Sequence, residues 1–325
     1  YQGTADAVRK NMHHFERYQG ENLYYLILSG DQLYQMDFTK MINAHIEGGA
    51  DITIAAKPMP RSEAPNLGVM KVGGDLDILE FAEKPKDPAV IDSFLVSPNV
   101  ISDIKNPDPE GYCMASMGIY VFSRKILEEA MSGTEMDFGK EVIPGMLGKK
   151  KLRAHIFNGY WEDIGTIRSF FDANLALTDD VPPFDFYKKN QTVYTHSRFL
   201  PGARIFGSRV ERCDISDGCL IRNATLERCI IGVRSIIGEG TYMKNVIMMG
   251  ADMYDFHSHN KTPRLGIGKN CQIENAIIDK NASIGDNCRL SPDGKPDKWE
   301  SDGLYVRDRI LIVTKTAVIP ANTHT

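Results

Sequence analysis

The sequence predicts two domains: an α/β domain with a Rossmann-like, mixed, mostly parallel sheet, then a left-handed parallel β-helix of hexapeptide-like repeats. Three observations predict this. Over residues 1–180, short apolar runs alternate with helical patterns, as in sheets covered by helices on both faces. Over 192–325 the period changes to rows of about sixteen residues, as in stacked coils. Between them, Val181-Pro182-Pro183-Phe184 breaks both patterns and opens a linker over 181–191.

The chain opens on Tyr1-Gln2-Gly3-Thr4-Ala5-Asp6-Ala7-Val8, a loop that runs directly into a helix. A parallel α/β domain normally opens on a core strand, so this one reads as N-terminally incomplete. Tyr24 to Leu28 reads as a buried strand ending at Ser29-Gly30-Asp31. Lys40 to Ile46 reads as a helix stopped by Gly48-Gly49 and followed by the strand Ile52 to Ala56. Leu76 to Ala82 alternates well enough to be a strand that delivers Glu83 and Lys84 to its end. Gly118 to Phe122 is a further buried strand, and Lys125 to Met131 and Thr166 to Leu177 are amphipathic helices. Ligands of such sheets sit at the carboxyl ends of the strands, which makes the loop after Leu28 a candidate site.

In the second domain, rows of sixteen place Phe199, Ile215, Ile231 and Ile247 in one column. Ile205, Ile221, Ile237 and Met253 form a second, and Val210, Leu226 and Tyr242 a third. Gly202, Gly218 and Gly250 share another, interrupted by Arg234. Three apolar positions per row describe a coil with three short sides that must stack to bury its apolar face. Ile267 to Ile273 and Ile284 to Leu290 resume the theme seventeen residues apart. A β-sandwich predicts no fixed row length. Cys213 and Cys229 share a column, where strands about 4.8 Å apart would allow a disulfide or a ladder of small buried thiols. Without a secretory pattern, free thiols in a reducing cytosol are the preferred reading for all six Cys. Asp252, Asp255, His257 and His259 read as a solvated loop rather than a metal cluster, because no regular spacing points them inward together.

Composition narrows the function. A net charge of −5 argues against a broad nucleic-acid surface. No apolar run reaches membrane-spanning length. Both leave room for a small anionic substrate held by a few Lys.

Several segments, in order and spacing, carry a resemblance. They are Gly3-Thr4-Ala5-Asp6-Ala7-Val8, Leu28-Ser29-Gly30-Asp31 through Met36-Asp37, Glu83-Lys84-Pro85, and Ala115-Ser116-Met117-Gly118-Ile119-Tyr120. Asp137-Phe138-Gly139 through Pro144, Tyr160-Trp161-Glu162-Asp163-Ile164-Gly165, and Ile278-Asp279-Lys280-Asn281 complete them. On these the chain resembles ADP-glucose pyrophosphorylases (glucose-1-phosphate adenylyltransferases) along essentially its full length. Nucleotidyl transfer needs phosphate charge neutralised and the reacting groups held in line. Mg²⁺ takes one or two carboxylates with phosphate and water oxygens. Asp31 and Asp163 would supply those carboxylates, and the resemblance implies the same roles, with ATP and glucose 1-phosphate as substrates. It also implies that Lys84 holds the phosphate of glucose 1-phosphate, a catalytic position shared with Asp31. Glu83, Ser116 and Asp163 would line the glucose site, with Gly68 allowing close backbone approach. Trp161 reads as a wall of the site. Gln2, Gly3 and Thr4 match the segment near the adenine base, with Gly30 on the nucleotide side. Lys280 and Lys315 resemble lysines that bind anionic metabolite effectors. A homo- or hetero-tetramer is implied, in the cytoplasm or, with a transit peptide, in a plastid.

One family segment has no counterpart here: the Gly-rich, Arg-containing nucleotide loop after the first core strand. The acceptor side of the site is therefore the better represented. Two readings follow, an adenylyltransferase with an incomplete start and a non-catalytic regulatory or scaffolding subunit. A hexapeptide-repeat acyltransferase, from another class, leaves Asp31 and Asp163 unexplained.

Overall fold

The computed structural model describes residues 1–15, 17–18, 20, 23–97, 104, 107–187, 192–255 and 263–325. Contacts group the chain into two units, Tyr1–Gly30 with Tyr34–Trp161, and Asp31–Leu33 with Glu162–Thr325. This division falls earlier than the change of period at residue 181, because the helix after Thr166 packs within the second unit.

The elements up to that point are α1 (Thr4–Asn11), β1 (Tyr24–Ile27), β2 (Gln32–Tyr34), α2 (Phe38–Glu47), β3 (Ile52–Pro60), β4 (Gly68–Val72), β5 (Ile78–Glu83) and α3 (Pro88–Ser93). They continue with β6 (Tyr112–Ser123), α4 (Arg124–Met131), a π-helical turn Phe138–Val142, α5 (Ile143–Met146), β7 (Leu152–Ile156), β8 (Trp161–Asp163) and α6 (Ile167–Ala176). Side-chain alternation along β3 sends Ile52, Ile54 and Ala56 to one face, where α1, α4 and the π-turn cover them through Ala5, Leu127, Phe138 and Val142. Ala55 faces the other way, with Met117, Ile119 and Val121 of β6, Met41 of α2 and Trp161. Thr53 shares that face and bonds the buried His45 of α2 at 2.8 Å.

The main sheet is mixed, with strand order β5-β4-β6-β3-β7 and β1 beside β6. Strands β1, β3 and β7 run in one direction, as the strand–helix alternation predicts. The long β6 is inserted between β1 and β3 against that direction, and β4 and β5 extend it as a hairpin. Pairing is therefore more antiparallel than the alternation alone predicts. β1 is only half-buried and Leu28 is 45% exposed, because among the described residues β6 is its one strand partner.

In the second unit, β2 and β8 form a two-stranded ladder. Thr166 and Ser169 form a capping box at the start of α6. Phe171 and Leu175 of α6 pack on Ile247, Ile277 and Ile310. The solenoid follows, a parallel β-helix with a closed apolar interior. Each row is bent at residues of positive φ. One corner column runs Gly218, Arg234, Asn281 and Thr316, with φ of 76, 60, 63 and 62°. Of the interrupted glycine column of the sequence, Gly218 stands at this corner and Arg234 occupies the left-handed region above it, whereas Gly250 stacks on Val233 and falls outside the column. A second corner carries Asn270, Asn287 and Asn322, whose carboxamides bond one another up the stack.

Strict rows of sixteen need one correction. Ile215 stacks on Ile231 and Val210 on Leu226, as read. One residue is then added between Ile237 and Gly240, and the offset persists, so that Ala251 and not Gly250 aligns with Arg234. Ile247 therefore stacks on Ile230, and Tyr242 on Thr225. Met253 is 66% exposed, and Ile267 takes its place beside Ile237. Phe199 is exposed and lies before the first coil strand, Arg204–Phe206. All six cysteines are free, including Cys213 and Cys229, which stack in register. Of the four acidic and His residues after Gly250, His257 and His259 lie outside the described residues. Asp252 is held by Lys280 at 3.1 Å and by Asn281 at 2.9 Å.

Candidate active site

In the first unit, Glu83 ends β5 and stands opposite Gly68 of β4. Both Gly68 and Gly139 face its carboxylate: a Cβ at either would lie 2.7 Å from Glu83 Oε2. Gly68 is needed because Phe81 and Glu83 fill the space a side chain would take, which adds a packing reason to the expected close approach of a sugar. Burial pushes the Glu83 carboxyl up, the neighbouring Lys84 pulls it down, and the Asp137 carboxylate raises it again. Lys84 itself sits at φ 49° and is exposed, with Leu67 accepting its backbone N–H at 3.0 Å. A non-glycine residue in that region is uncommon, and here it turns the chain out of β5. Among the described residues Lys84 makes no ion pair within salt-bridge distance, which leaves its ammonium available to a phosphate.

Ser116 enters this cluster through a bulge. Ile54 pairs with Tyr120 while Ala56 pairs with Ser116, so β6 carries extra residues around Gly118. Ser116 is buried and hydrogen-bonded to the Tyr120 phenol, which burial pushes far above its usual range. Tyr120, Asp137 and Gly139 were quoted in the sequence only as parts of longer segments; the structure gathers them around Glu83.

The amino-terminal segment docks against the same turn. Ala5 N–H donates to the Met136 carbonyl at 2.9 Å, and Phe138 N–H donates to Thr4 Oγ1 at 3.1 Å. Thr4 Oγ1 donates to Asp137 Oδ2 at 3.2 Å. A Cβ at Gly3 would meet the Met136 carbonyl oxygen at 2.2 Å, so only glycine permits this approach. Gln2 N–H donates to Asp6 at 2.8 Å. Gly30 has open space where a side chain would be. Trp161 is buried in the core with Met117, Ile119 and Val121 of β6.

In the second unit the two expected carboxylates meet. Asp163 Oδ1 and Asp31 Oδ2 lie 3.0 and 3.6 Å from the point a Cβ would occupy on Gly165. Gly165 N–H donates to Asp163 Oδ1 at 2.9 Å, and Ile164 N–H donates to the Asp31 carbonyl at 3.2 Å. Both carboxylates are exposed, as metal and phosphate access requires. Lys280 and Lys315 are also brought together. Each precedes a corner residue in the same column, and Thr316 N–H donates to the Lys280 carbonyl at 2.9 Å. Both act on Asp252, whose carboxyl is held low by Asn281 first and then Lys280, with Lys315 contributing.

Residues 1–180 match the family model described as nucleotidyl transferase, and 198–324 match that of the GLGC left-handed parallel β-helix domain. The chloroplastic/amyloplastic small subunit of glucose-1-phosphate adenylyltransferase from Triticum aestivum is 40% identical over 337 residues, covering 99% of this chain and 70% of that protein. The chain belongs to the glucose-1-phosphate adenylyltransferase family. Family membership gives both units their place: a nucleotidyltransferase domain carries the Glu83 cluster, and the solenoid is of the left-handed kind. Among the described residues no helix is long and apolar enough to cross a membrane.

Proposed function

We propose that this chain transfers the adenylyl group of ATP to glucose 1-phosphate, giving ADP-glucose and pyrophosphate for glycogen or starch biosynthesis. The observation that carries the reading is the meeting of the Asp31 and Asp163 carboxylates at Gly165 in a chain of this family.

A Mg²⁺ ion fits that pair. It takes few protein carboxylates and leaves its other positions to phosphate and water. Among the described residues no group of three or more His, Cys, Asp and Glu offers the closed cage a structural metal would need. Asp31 and Asp163 would hold the ion, and when bound it supplies charge neutralisation on the phosphates.

The remaining chemistry belongs to side chains. Lys84 holds the phosphate of glucose 1-phosphate as a point charge, and Glu83 and Ser116 bond the sugar hydroxyls. A phosphate oxygen of glucose 1-phosphate forms the new bond to the α-phosphorus of ATP. The bond from that phosphorus to the bridging oxygen breaks, and pyrophosphate leaves with the electron pair. No covalent enzyme intermediate is needed. Gln2, Gly3 and Thr4 are assigned to the adenine side and Gly30 to the nucleotide side. Lys280 and Lys315 form an anionic effector site, supported by their stacking on adjacent coils. The working form is a homo- or hetero-tetramer, in the cytoplasm or, with a transit peptide, in a plastid.

Pyrophosphate release from ATP and glucose 1-phosphate tests the assignment. Asp31→Asn is expected to lower kcat by about 10²–10³ with melting unchanged, the scale for removing one group that stabilises transition-state charge. A chain that binds glucose 1-phosphate but releases no pyrophosphate would instead be a non-catalytic subunit.

A further inference from the structure

The solenoid holds a second cationic site, on a different corner from Lys280 and Lys315. The coil that begins at Arg289–Leu290 stacks on Gln272–Ile273, then leaves the solenoid. The chain returns at Ile310, where Leu311 to Val313 stack on Ala276 to Ile278. The turn between those two sides is Asn275, at φ 50°. The excursion thus opens the stack at one corner.

A cavity of about 360 Å³ occupies that opening. This lies at the lower end of the range of small-ligand pockets, ~300–1,000 Å³. Arg168, Lys295 and Arg309 line it with Asn275, and the buried Phe171 and Ile310 close it underneath. All of these residues belong to the second unit.

The cations are unevenly occupied. Arg168 bonds the Asp308 carbonyl and lies 3.4 Å from Asp172. Lys295 has no carboxylate within salt-bridge distance among the described residues and lies 4.8 Å over the Trp299 ring. Arg309 sits at φ 58° and is exposed, likewise without a carboxylate partner. Asp293 also lines the cavity and is the acid any anion must avoid. Asn275 accepts from Asn245 at 3.0 Å, and no acceptor for its own amide N–H is found among the described residues. In an unbroken stack the next corner residue would receive that bond. Two unpaired cations and a spare amide donor around a concave, partly apolar surface are the chemistry of an anion attached to a small carbon skeleton.

We propose that this corner pocket binds a small phosphate monoester, with Arg309 and Lys295 on the phosphate. Asn275 donates to a phosphate oxygen. The site is independent of the adenylyl-transfer reading and of the Lys280–Lys315 pair.

Glycerol 3-phosphate is a suitable probe, with glycerol as its uncharged control. Equilibrium dialysis counts the sites in the K280E background, which removes the Lys280–Lys315 pair: K280E with K295E and R309E is expected to bind one equivalent fewer than K280E alone. Location is read separately in the W161F chain, where Trp299 is the one remaining indole. Its emission should change saturably with glycerol 3-phosphate, not with glycerol, as Lys295 leaves the ring. R309E should weaken that response at least about tenfold. Unchanged stoichiometry on adding K295E and R309E to K280E overturns the proposal.

Discussion

The Glu83 cluster and the solenoid interior are built on opposite plans. Around Glu83, each contact joins segments far apart in the chain: Gly68, Ser116, Asp137 and Gly139 are held by a strand hairpin, a bulge and a π-turn. In the solenoid, each residue meets the same position of the next coil, as Cys213, Cys229 and Val246 do. The first plan places several different groups on one carboxylate, and a change at any of them disturbs that carboxylate. The second repeats one interaction many times, so damage stays near where it occurs. Polar chemistry in the solenoid accordingly gathers where repetition stops, at its corners.

The largest effect that can break this contrast is a cavity in the solenoid. Leu226 is fully buried between Val210 and Met243. Leu226→Ala should cost about 2–5 kcal/mol. Hydrogen exchange should show the loss in neighbouring coils and leave β3 and β6 protected. Equal loss in those strands would mean that the units unfold as one.

A smaller change sharpens the other half. Gly139→Ala puts a methyl 2.7 Å from Glu83 Oε2, while Gly145 of α5 has open space around it. Overpacking of about 1–3 kcal/mol should raise KM for glucose 1-phosphate on the order of tenfold in G139A. G145A is the control and should leave KM unchanged.

The smallest effect is a pH dependence. Burial holds the His45 imidazole below its usual value, against a partial opposing pull from Asp51. The folded chain therefore resists a proton that the unfolded chain accepts at about pH 6.5. The contribution of the neutral ring is complete above that pH and is lost as pH falls from there toward the folded value. Melting temperature should fall between pH 7 and 5, and H45Q should show a shallower fall. Parallel curves for the two chains would remove His45 as the cause.

How much of this was legible in the sequence follows the same contrast. Repetition is written along the chain, so the row length and the apolar columns could be read from single residues. The added residue after Ile237 could not, because both neighbouring rows absorb it at corners. Arg234 hid a corner because its positive φ comes from stacking and not from residue type. Helices α2, α4 and α6 were readable from their periodicity and stop signals. The inserted direction of β6 was not, since apolar content is blind to strand polarity. Asp31 and Asp163 were legible as strand-end carboxylates, and the structure joins them through Gly165. The environment of Glu83 was hidden because Gly139 reaches it across more than fifty residues of chain.

The corners also have a bearing on how such a chain can change over evolutionary time. Among the described residues, stacking resumes in register across two long intervals of sequence, one after Gly250 and one after Leu290. Ile237 still stacks on Ile267 across the first, and Ala276 on Leu311 across the second. An insertion at a corner therefore adds surface without renumbering the interior. The solenoid can acquire or discard a recognition loop while its coils stay in place, whereas any insertion among the segments around Glu83 would displace the residues that define the site.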